Sequence, residues 1–433
     1  MKKIIKTIIL ITIFVQSSYL YANDLEFYLQ AAFKNNPKLN AERENLEAIR
    51  QNINISRSEF LPSLTIEGNQ TSIESSNQTN QSGSNLADTN LNTEEKSIVI
   101  DQKVFSGFQN LNSLKKSKLE VEKAKSQLRQ VEQEILLKTA EVFYDLIFKN
   151  KNKSFNIDNV DLFERQVETD KARLQKGEIN LTDLAQSESS LSGANAKLIK
   201  AETELITSKA EFEKITRVSI PEDVGPNDNI IIKLPTSLEE AITISEKKNP
   251  KLKIAKLDSL ISEKELSIEK SKLSPSASLN YSKSENSDLS STIDKSNKET
   301  VKATLSWPII KGGKNYASIK KSKHKRNKSK LILNDQENDV KTSVANAWSV
   351  YKSTASLLEA TKSQLKAAEI ANEGITLEYD SGNTRTTLEL IQSRTLLLES
   401  RITFARSERD LIISKFKLLA EIGDLSLNTL KTP

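Results

Sequence analysis

Apolar residues recur every seven positions over long stretches of the chain. One stretch has them at Leu114, Val121, Leu128, Ile135 and Val142, and another at Leu390, Leu397, Phe404, Leu411 and Leu418. A seven-residue repeat gives a helix one narrow apolar stripe, which packs against neighbouring helices and leaves the other faces polar. None of the nine prolines lies in residues 63–220 or 309–432, so no proline interrupts these helices. The pattern predicts helices of about 70 residues, each roughly 100 Å long.

Between the helical stretches the spacing of apolar residues changes to two. Leu64 and Ile66 alternate with polar neighbours, and so do Val301, Ala303 and Leu305. This alternation predicts strands with one apolar face, two in each half of the chain. Polar residues at about 72–93 and 285–298 predict the loops that join the strands.

The chain carries this arrangement twice. The tetrapeptide Asn-Pro-Lys-Leu begins at Asn36 and again at Asn249, 213 positions later, and Gly177 matches Gly382 at an offset of 205. Each repeat has the order helix, strand, loop, strand, long helix, tight turn and returning helix. The predicted fold is mainly α with a small β part, built from long coiled-coil hairpins. The predicted segments are a signal peptide at 1–22, a first repeat at 23–218, a linker at 219–236, a second repeat at 237–424 and a tail at 425–433.

The first 22 residues have the features of an export signal. Lys2, Lys3 and Lys6 precede or flank an apolar stretch at residues 4–15, and a polar end closes at Ala22. Removing this segment lowers the formal charge from +5 to +2, because it holds three lysines and no acid. A nearly neutral mature chain argues against a nucleic-acid partner.

The amino-acid composition excludes most kinds of catalytic site. The chain has no cysteine and one histidine, His324, which lies in a basic run at 320–330. Thiol catalysis, disulfides, cysteine-ligated metals and histidine metal clusters are therefore excluded. We expect no enzyme activity, no cofactor and no metal.

The four predicted strands of one exported chain cannot close a membrane barrel by themselves. The mature sequence has no apolar run of the roughly 18 residues that a membrane helix needs, so a spanning segment would have to be a β-barrel. Four strands are too few, since the smallest bacterial outer-membrane barrels have about eight. Three copies would supply twelve.

The ordered, duplicated motifs resemble the TolC-type outer-membrane efflux proteins. The shared pattern runs from Asn36-Pro37 through Leu61-Pro62, Phe105-Ser106-Gly107 and Gly177 to Asp183-Leu184, and recurs downstream. The resemblance implies a homotrimeric channel-tunnel, with a twelve-stranded barrel in the outer membrane and an α-helical tunnel in the periplasm. It further implies a passive conduit that exports drugs or proteins, in tripartite efflux or type I secretion, by docking with a periplasmic adaptor and an inner-membrane pump.

The resemblance also implies a gate at the periplasmic helical end. Its members here would be Asp183, Tyr379, Arg385 and Glu389, with Arg385 one residue later than the arginine usual in the family. We expect Arg385 to pair with Asp183 or Glu389 and Tyr379 to hydrogen-bond across the closed end.

Two further surfaces follow from the same resemblance. The helical turns would contact the adaptor, through Lys176, Gly177 and Glu178 in the first repeat and Ser381, Gly382 and Asn383 in the second. Trp307, at the end of a predicted strand, would lie at the membrane interface and contact outer-membrane lipid. The basic run at 320–330 is either a solvated helix face or a surface beneath anionic lipid.

Two other classes of protein remain open at this point. An exported coiled-coil structural or adhesive protein would explain the heptads but not the strands in each half. A periplasmic adaptor would explain a helical hairpin, but adaptors need compact β domains rich in Gly and Pro, and this sequence has few of either residue.

Overall fold

A computed structural model describes residues 25–220, 232–290, 293–381 and 385–429. The predicted signal peptide at 1–22 lies outside the described residues. So do most of the predicted linker, the last four residues of the predicted tail, and the two predicted site residues Gly382 and Asn383.

Both repeats contain the same elements in the same order. The first has α1 (Leu25–Asn35), α2 (Pro37–Ser58), β1 (Ser63–Ser75), β2 (Thr89–Phe105), α3 (Gln109–Gln175) and α4 (Leu181–Thr216). The second has α5 (Leu238–Lys248), α6 (Pro250–Ser271), β3 (Ser276–Ser290), β4 (Ile293–Ser306), α7 (Lys314–Asp380) and α8 (Thr387–Glu421), followed by a 3₁₀ turn at Leu427–Thr429. The helices α3 and α7 have 67 residues each, close to the length expected from the heptads. The predicted mainly α fold with a small β part is confirmed.

The chain divides into two compact units. One comprises the described residues of 25–43, 127–252 and 336–429, and is entirely helical apart from its turns. The other comprises 44–126 and the described residues of 253–335, and contains all four strands. In the described part of the chain, no helix is both long enough and apolar enough to cross a bilayer.

The four strands form one antiparallel sheet in the order β1-β2-β3-β4. Leu64 lies opposite Ile100, which lies opposite Tyr281, which in turn lies opposite Val301. Residues directly opposite each other in antiparallel strands point to the same face, so these four side chains share one face of the sheet.

The strands are longer than the sequence pattern predicted. The expected loop at 285–298 is wrong, because β3 and β4 stay paired as far as Ser287 and Lys295 and, after a shift in register, pair again at Ser290 and Ile293. The expected loop at 72–93 shrinks to residues 76–88, between Ser75 and Thr89. Ser, Asn, Thr and Glu on both faces of these segments concealed the strand pattern. The inter-strand ladder nevertheless satisfies their backbone N–H and C=O groups.

An aromatic cluster forms the core of the first repeat's helical part. Tyr28 of α1, Phe143 of α3 and Phe212 of α4 are almost completely buried, and the rings of Tyr28 and Phe212 meet edge to face at 4.8 Å. The short helix α1 thus fills the space between two long helices.

The repeated Asn-Pro-Lys-Leu motif has the same structural role in both repeats. Asn36 accepts hydrogen bonds from the backbone of the helix that begins at Pro37, and its amide donates to Ile215 O at the end of α4, at 3.0 Å. Asn249 likewise accepts from the start of the helix at Pro250 and donates to Glu421 O at the end of α8, at 2.7 Å. One buried side chain therefore caps the start of one helix and fixes the end of another. Proline follows because the first helical position needs no N–H.

This arrangement predicts a matched loss of stability from Asn36→Ala and Asn249→Ala. Each change removes a cap and leaves a buried carbonyl without its donor, at a cost of about 1–2 kcal/mol. Thermal unfolding followed by circular dichroism should show a lower Tm for both variants. Asn54→Ala is the control, because Asn54 is exposed and its side chain bonds only Gln51 within its own helix. An unchanged Tm for both variants would contradict the shared role.

Candidate functional site

The turn between α3 and α4 closes in a Schellman motif. Gly177 has a φ of +73°, its N–H donates to Leu174 O, and the Glu178 N–H donates to Arg173 O. This backbone conformation strains any residue with a Cβ, so glycine is needed at this position. Lys176, Gly177 and Glu178 are all exposed, as is Ser381 at the start of the second turn.

A capping box begins each returning helix. In α4, Asp183 Oδ2 accepts from the Asn180 N–H at 3.2 Å and Asn180 Oδ1 accepts from the Asp183 N–H at 3.0 Å. In α8, Glu389 and Thr386 make the same reciprocal pair. The carboxylate satisfies a backbone donor that the first turn of a helix leaves free. The two boxes are 206 positions apart, which matches Asp183 with Glu389.

Of the two expected partners of Arg385, Asp183 and Glu389, the described structure pairs it with Glu389. Arg385 Nε donates to Glu378 Oε2 at 2.6 Å, and its Nη1 donates to Glu389 Oε1 at 3.1 Å. These two carboxylates lie on either side of Arg385 in the same hairpin, whereas the Asp183 carboxylate is occupied in its own capping box. The hydrogen bond to Glu378 is the main reason that the pKa of Arg385 is raised, and the Thr386 N–H is the main reason that the pKa of Glu389 is lowered. All three side chains are exposed, so these ion pairs contribute little to stability.

The buried part of the site centres on Asp170, which is fully buried in α3. Its carboxylate accepts hydrogen bonds from the Tyr379 hydroxyl at 2.7 Å, the Ser187 hydroxyl at 2.5 Å and the Gln166 amide at 2.9 Å. The Tyr379 oxygen also lies 3.2 Å from Thr387 Oγ1. Ser187, Tyr379 and Thr387 belong to α4, α7 and α8, so the network joins all four long helices of the two hairpins. Hydrogen bonds to a buried charged group are among the stronger ones in proteins.

Two arginines surround this network. Arg173 packs over the Tyr379 ring at 4.6 Å and forms an ion pair with Glu178, 3.3 Å away. Arg394 of α8 donates to Leu162 O of α3 at 3.0 Å. Burial raises the pKa of the Tyr379 hydroxyl and lowers the pKa of the Arg394 guanidinium. The Tyr379 hydroxyl therefore stays protonated at neutral pH and can donate to Asp170.

Asp170 is not among the predicted site residues, although the heptad pattern contains a signal for it. Val160 and Val167 belong to the apolar stripe of α3, and Phe163 lies on the same buried face. Asp170 follows Phe163 by seven positions, so a carboxylate stands where the heptad calls for an apolar side chain. A lone acid on an apolar stripe needs donors from the neighbouring helices.

Comparison with known proteins identifies the family. The model of the family described as "Outer membrane efflux protein" matches residues 28–216 and 243–424, which covers both repeats. The chain belongs to the outer membrane efflux protein family. It is 25% identical to the outer membrane efflux protein BepC of Brucella suis over 93% of this chain and 86% of BepC. It is 22% identical to the outer membrane protein TolC of Escherichia coli, over 98% of this chain and 87% of TolC.

A solved structure shows the same fold. The outer-membrane channel CmeC of Campylobacter jejuni superposes with a TM-score of 0.80 over 92% of this chain and 85% of CmeC, at 13% identity. The resemblance to TolC-type proteins is thus confirmed, as are the outer-membrane location and the efflux function. Members of this family are channel proteins rather than enzymes.

The predicted interface residue of this efflux protein lies in the unit that contains the sheet. Trp307 directly follows β4, its side chain is 64% exposed, and its indole N–H donates to Leu273 O at 3.1 Å. Ile309 and Ile310 beside it are even more exposed. The basic run begins soon afterwards on α7, and His324 is exposed within it.

Proposed function

We propose that three copies of this efflux protein assemble into a channel-tunnel that conducts drugs or proteins passively to the cell exterior. The match of the family model to both repeats carries the proposal. In this arrangement the sheets of the three copies join in the outer membrane and the helices line a passage on the periplasmic side. A periplasmic adaptor and an inner-membrane pump deliver the cargo.

The topology of the sheet supports a closed trimer. β1 and β4 are its edge strands, and neither has a second strand partner in the described chain. Exposed edges are templates for pairing with another chain, and closing a barrel removes them. Pairing β4 of one copy with β1 of the next would produce twelve strands from three copies, which lies within the range of bacterial outer-membrane barrels.

The trimer is tested by cell fractionation followed by an unheated gel. We expect the protein in the outer-membrane fraction, migrating as a trimer that dissociates on heating, and we expect the purified trimer to conduct ions in planar bilayers. A soluble monomer would contradict the proposal and would favour an exported coiled-coil protein or a periplasmic adaptor.

The buried network around Asp170 supports a gate at the turns. Tyr379 and Asp170 lie in different hairpins, so separating the hairpins breaks their hydrogen bond. Arg385 and Glu389 add an exposed ion pair at the second turn, and Asp183 contributes by starting α4. Because buried hydrogen bonds to a carboxylate contribute more free energy than exposed ion pairs, Tyr379 and Asp170 stabilise the closed state more than Arg385 and Glu389 do.

The gate proposal predicts leaky channels from Tyr379→Phe and, more strongly, from Asp170→Ala. The alanine removes the acceptor of Gln166 and Ser187 and leaves Tyr379 only Thr387, and a loss of about 1–3 kcal/mol would raise the open fraction roughly ten-fold or more. Single-channel conductance of purified trimers measures this fraction. Tyr351→Phe and Asp161→Ala are matched controls on the same two helices, since Tyr351 is half-buried and Asp161 is an exposed partner of Arg165. Equal conductance in all four variants would contradict the assignment.

The exposed turns are proposed as the adaptor contact. The Schellman turn presents Lys176, Gly177 and Glu178 in one defined conformation. In the second hairpin the predicted contact residues are Ser381, which is exposed, and Gly382 and Asn383, which lie outside the described residues. A photocrosslinking residue at position 178 should capture the adaptor in cells. The same residue at position 200 should not, although Lys200 in α4 is even more exposed. Capture from both positions, or from neither, would count against a contact at the turns.

A further inference from the structure

The two repeats correspond residue by residue through two fixed shifts in numbering. The helices α2 and α6 begin and end 213 positions apart, and the long helices α3 and α7 begin and end 205 positions apart. The hairpins obey the same shifts, because Ile66 lies opposite Ile98 in the first hairpin and Leu279 lies opposite Ala303 in the second. Each of these residues therefore has a defined counterpart in the other repeat.

Within one chain, the two repeats meet where β2 pairs with β3. In this pairing Ile100 lies opposite Tyr281. The turn after β2 packs closely on the second repeat as well. A Cβ added to Gly107 would lie 2.5 Å from the Cβ of Ser274 and 2.7 Å from the backbone oxygen of Ser271. Only glycine allows the two segments to approach so closely.

The second repeat has the same turn but no neighbour at this place. The counterpart of Gly107 is Gly312, after β4, and the counterparts of Ser271 and Ser274 are Ser58 and Leu61, before β1. Gly312 has a φ of +52° and Gly107 a φ of +61°, yet nothing lies within 4 Å of a Cβ added to Gly312. The second repeat thus keeps the turn without the segment that packs on it.

Exposed apolar side chains mark both edges of the sheet. Ile66 on β1 and Leu305 on β4 are each 76% exposed, and Trp307 just beyond β4 is 64% exposed. Applying the two shifts to the pairing of β2 with β3 sets Leu305 opposite Gly68 and Trp307 opposite Ile66. Residues opposite each other in antiparallel strands share a face, so this register would bring the apolar side chains of the two edges together.

The same register matches polar groups on the other face. It sets Ser306 opposite Glu67, so that a hydroxyl donor lies beside a carboxylate acceptor. The counterpart of this pair within the chain is a side-chain hydrogen bond of 2.7 Å between β2 and β3. At the far end the register sets Glu299 opposite Glu74, and Lys283, only 2.9 Å from Glu299, offsets the two like charges.

Two lysines of the basic run also have counterparts at the junction between the repeats. There, two lysines of α3 form ion pairs with acids of α6, at 3.3 and 2.7 Å. Their counterparts on α7 are Lys321 and Lys328, which the two shifts set opposite Asn52 and Asn45 of α2. A lysine can donate to the oxygen of an amide as it does to a carboxylate.

We propose that copies of this chain meet in the same way as its own two repeats. The strand β4 of one copy pairs antiparallel with β1 of the next copy, with Ala303 opposite Gln70, and Gly312 packs against Ser58 and Leu61 of that copy. This inference rests on the proposed function, because it takes three copies to form a closed ring. The ring then contains one kind of junction, three times within the copies and three times between them.

The absence of native cysteine allows the register to be measured by disulfide formation. Gln70→Cys combined with Ala303→Cys should give covalent trimers when outer membranes are oxidised with copper phenanthroline, as seen on a heated, non-reducing gel. The matched controls combine Ala303→Cys with Ile66→Cys or Glu74→Cys, which moves one thiol by roughly 13 Å along β1. These pairs should crosslink at least about ten-fold more slowly, because a disulfide needs Cα atoms within about 7 Å of each other.

A pair of glycine variants tests the packing of the turn. Gly312→Ala should lower the trimeric fraction on an unheated gel several-fold, since its Cβ would meet Ser58 and Leu61 of the next copy. Gly313→Ala is the control, because Gly313 also has a positive φ, of +76°. Its counterpart is Phe108, which has a Cβ and a φ of +68°, so a side chain fits at this position.

The cysteine-free parent separates this inference from the proposed function. A parent that stays monomeric would overturn the proposed channel. A trimeric parent whose thiol at 303 crosslinks best to position 66 or 74, or to none of the three positions, would overturn the register alone. Asn69→Cys with Thr304→Cys reports the same register from the other face if the first pair prevents assembly. Equal trimeric fractions for the two glycine variants would overturn the packing of Gly312.

Discussion

A buried carboxylate must be supplied with hydrogen-bond donors, and Asp170 obtains three of them from three helices. Burying a charge without partners is strongly unfavourable, so the positions of Gln166, Ser187 and Tyr379 depend on one another. Because Tyr379 comes from the second repeat, its hydrogen bond to Asp170 joins the two hairpins near their turns, and in the proposed gate it is this bond that holds them together. In the proposed gate, the exposed ion pairs of Arg385 add less to the closed state than the buried network does.

Duplication explains how two hairpins come to share such a site. Each repeat begins its second helix with the same asparagine cap, which also holds the end of its own returning helix. Each returning helix starts with a capping box at the equivalent place. The two repeats nevertheless differ in the residues that they contribute to the buried network. The first repeat contributes the acid at Asp170, and the second contributes the donor at Tyr379. Because the acid and the tyrosine come from different repeats, their hydrogen bond joins the two.

Much of this fold could be predicted from local rules. Heptads, the absence of proline and the positions of Gly177 and Pro37 specify helices and turns, because they act over one or two turns of chain. The ends of the strands far from the helices escaped prediction. Polar residues such as Asn92 and Asn286 occupy both faces of the sheet there, so only the pairing between strands reveals them. Asp170 escaped for a different reason. Two of its donors come from other helices, Ser187 of α4 and Tyr379 of α7, and Tyr379 is 209 positions away in the sequence. Asp183, in contrast, lies within the family motif and serves its own capping box.

The central claim is that Tyr379 and Asp170 act on closure through each other. A double-mutant cycle in single-channel conductance tests this most directly, using Tyr379→Phe, Asp170→Ala and the two changes together. If the contact between them is what holds the turns closed, the double variant should be no more open than Asp170→Ala alone, because the alanine has already removed the acceptor. Open fractions that multiply in the double variant would show that the two residues act independently and would contradict the account.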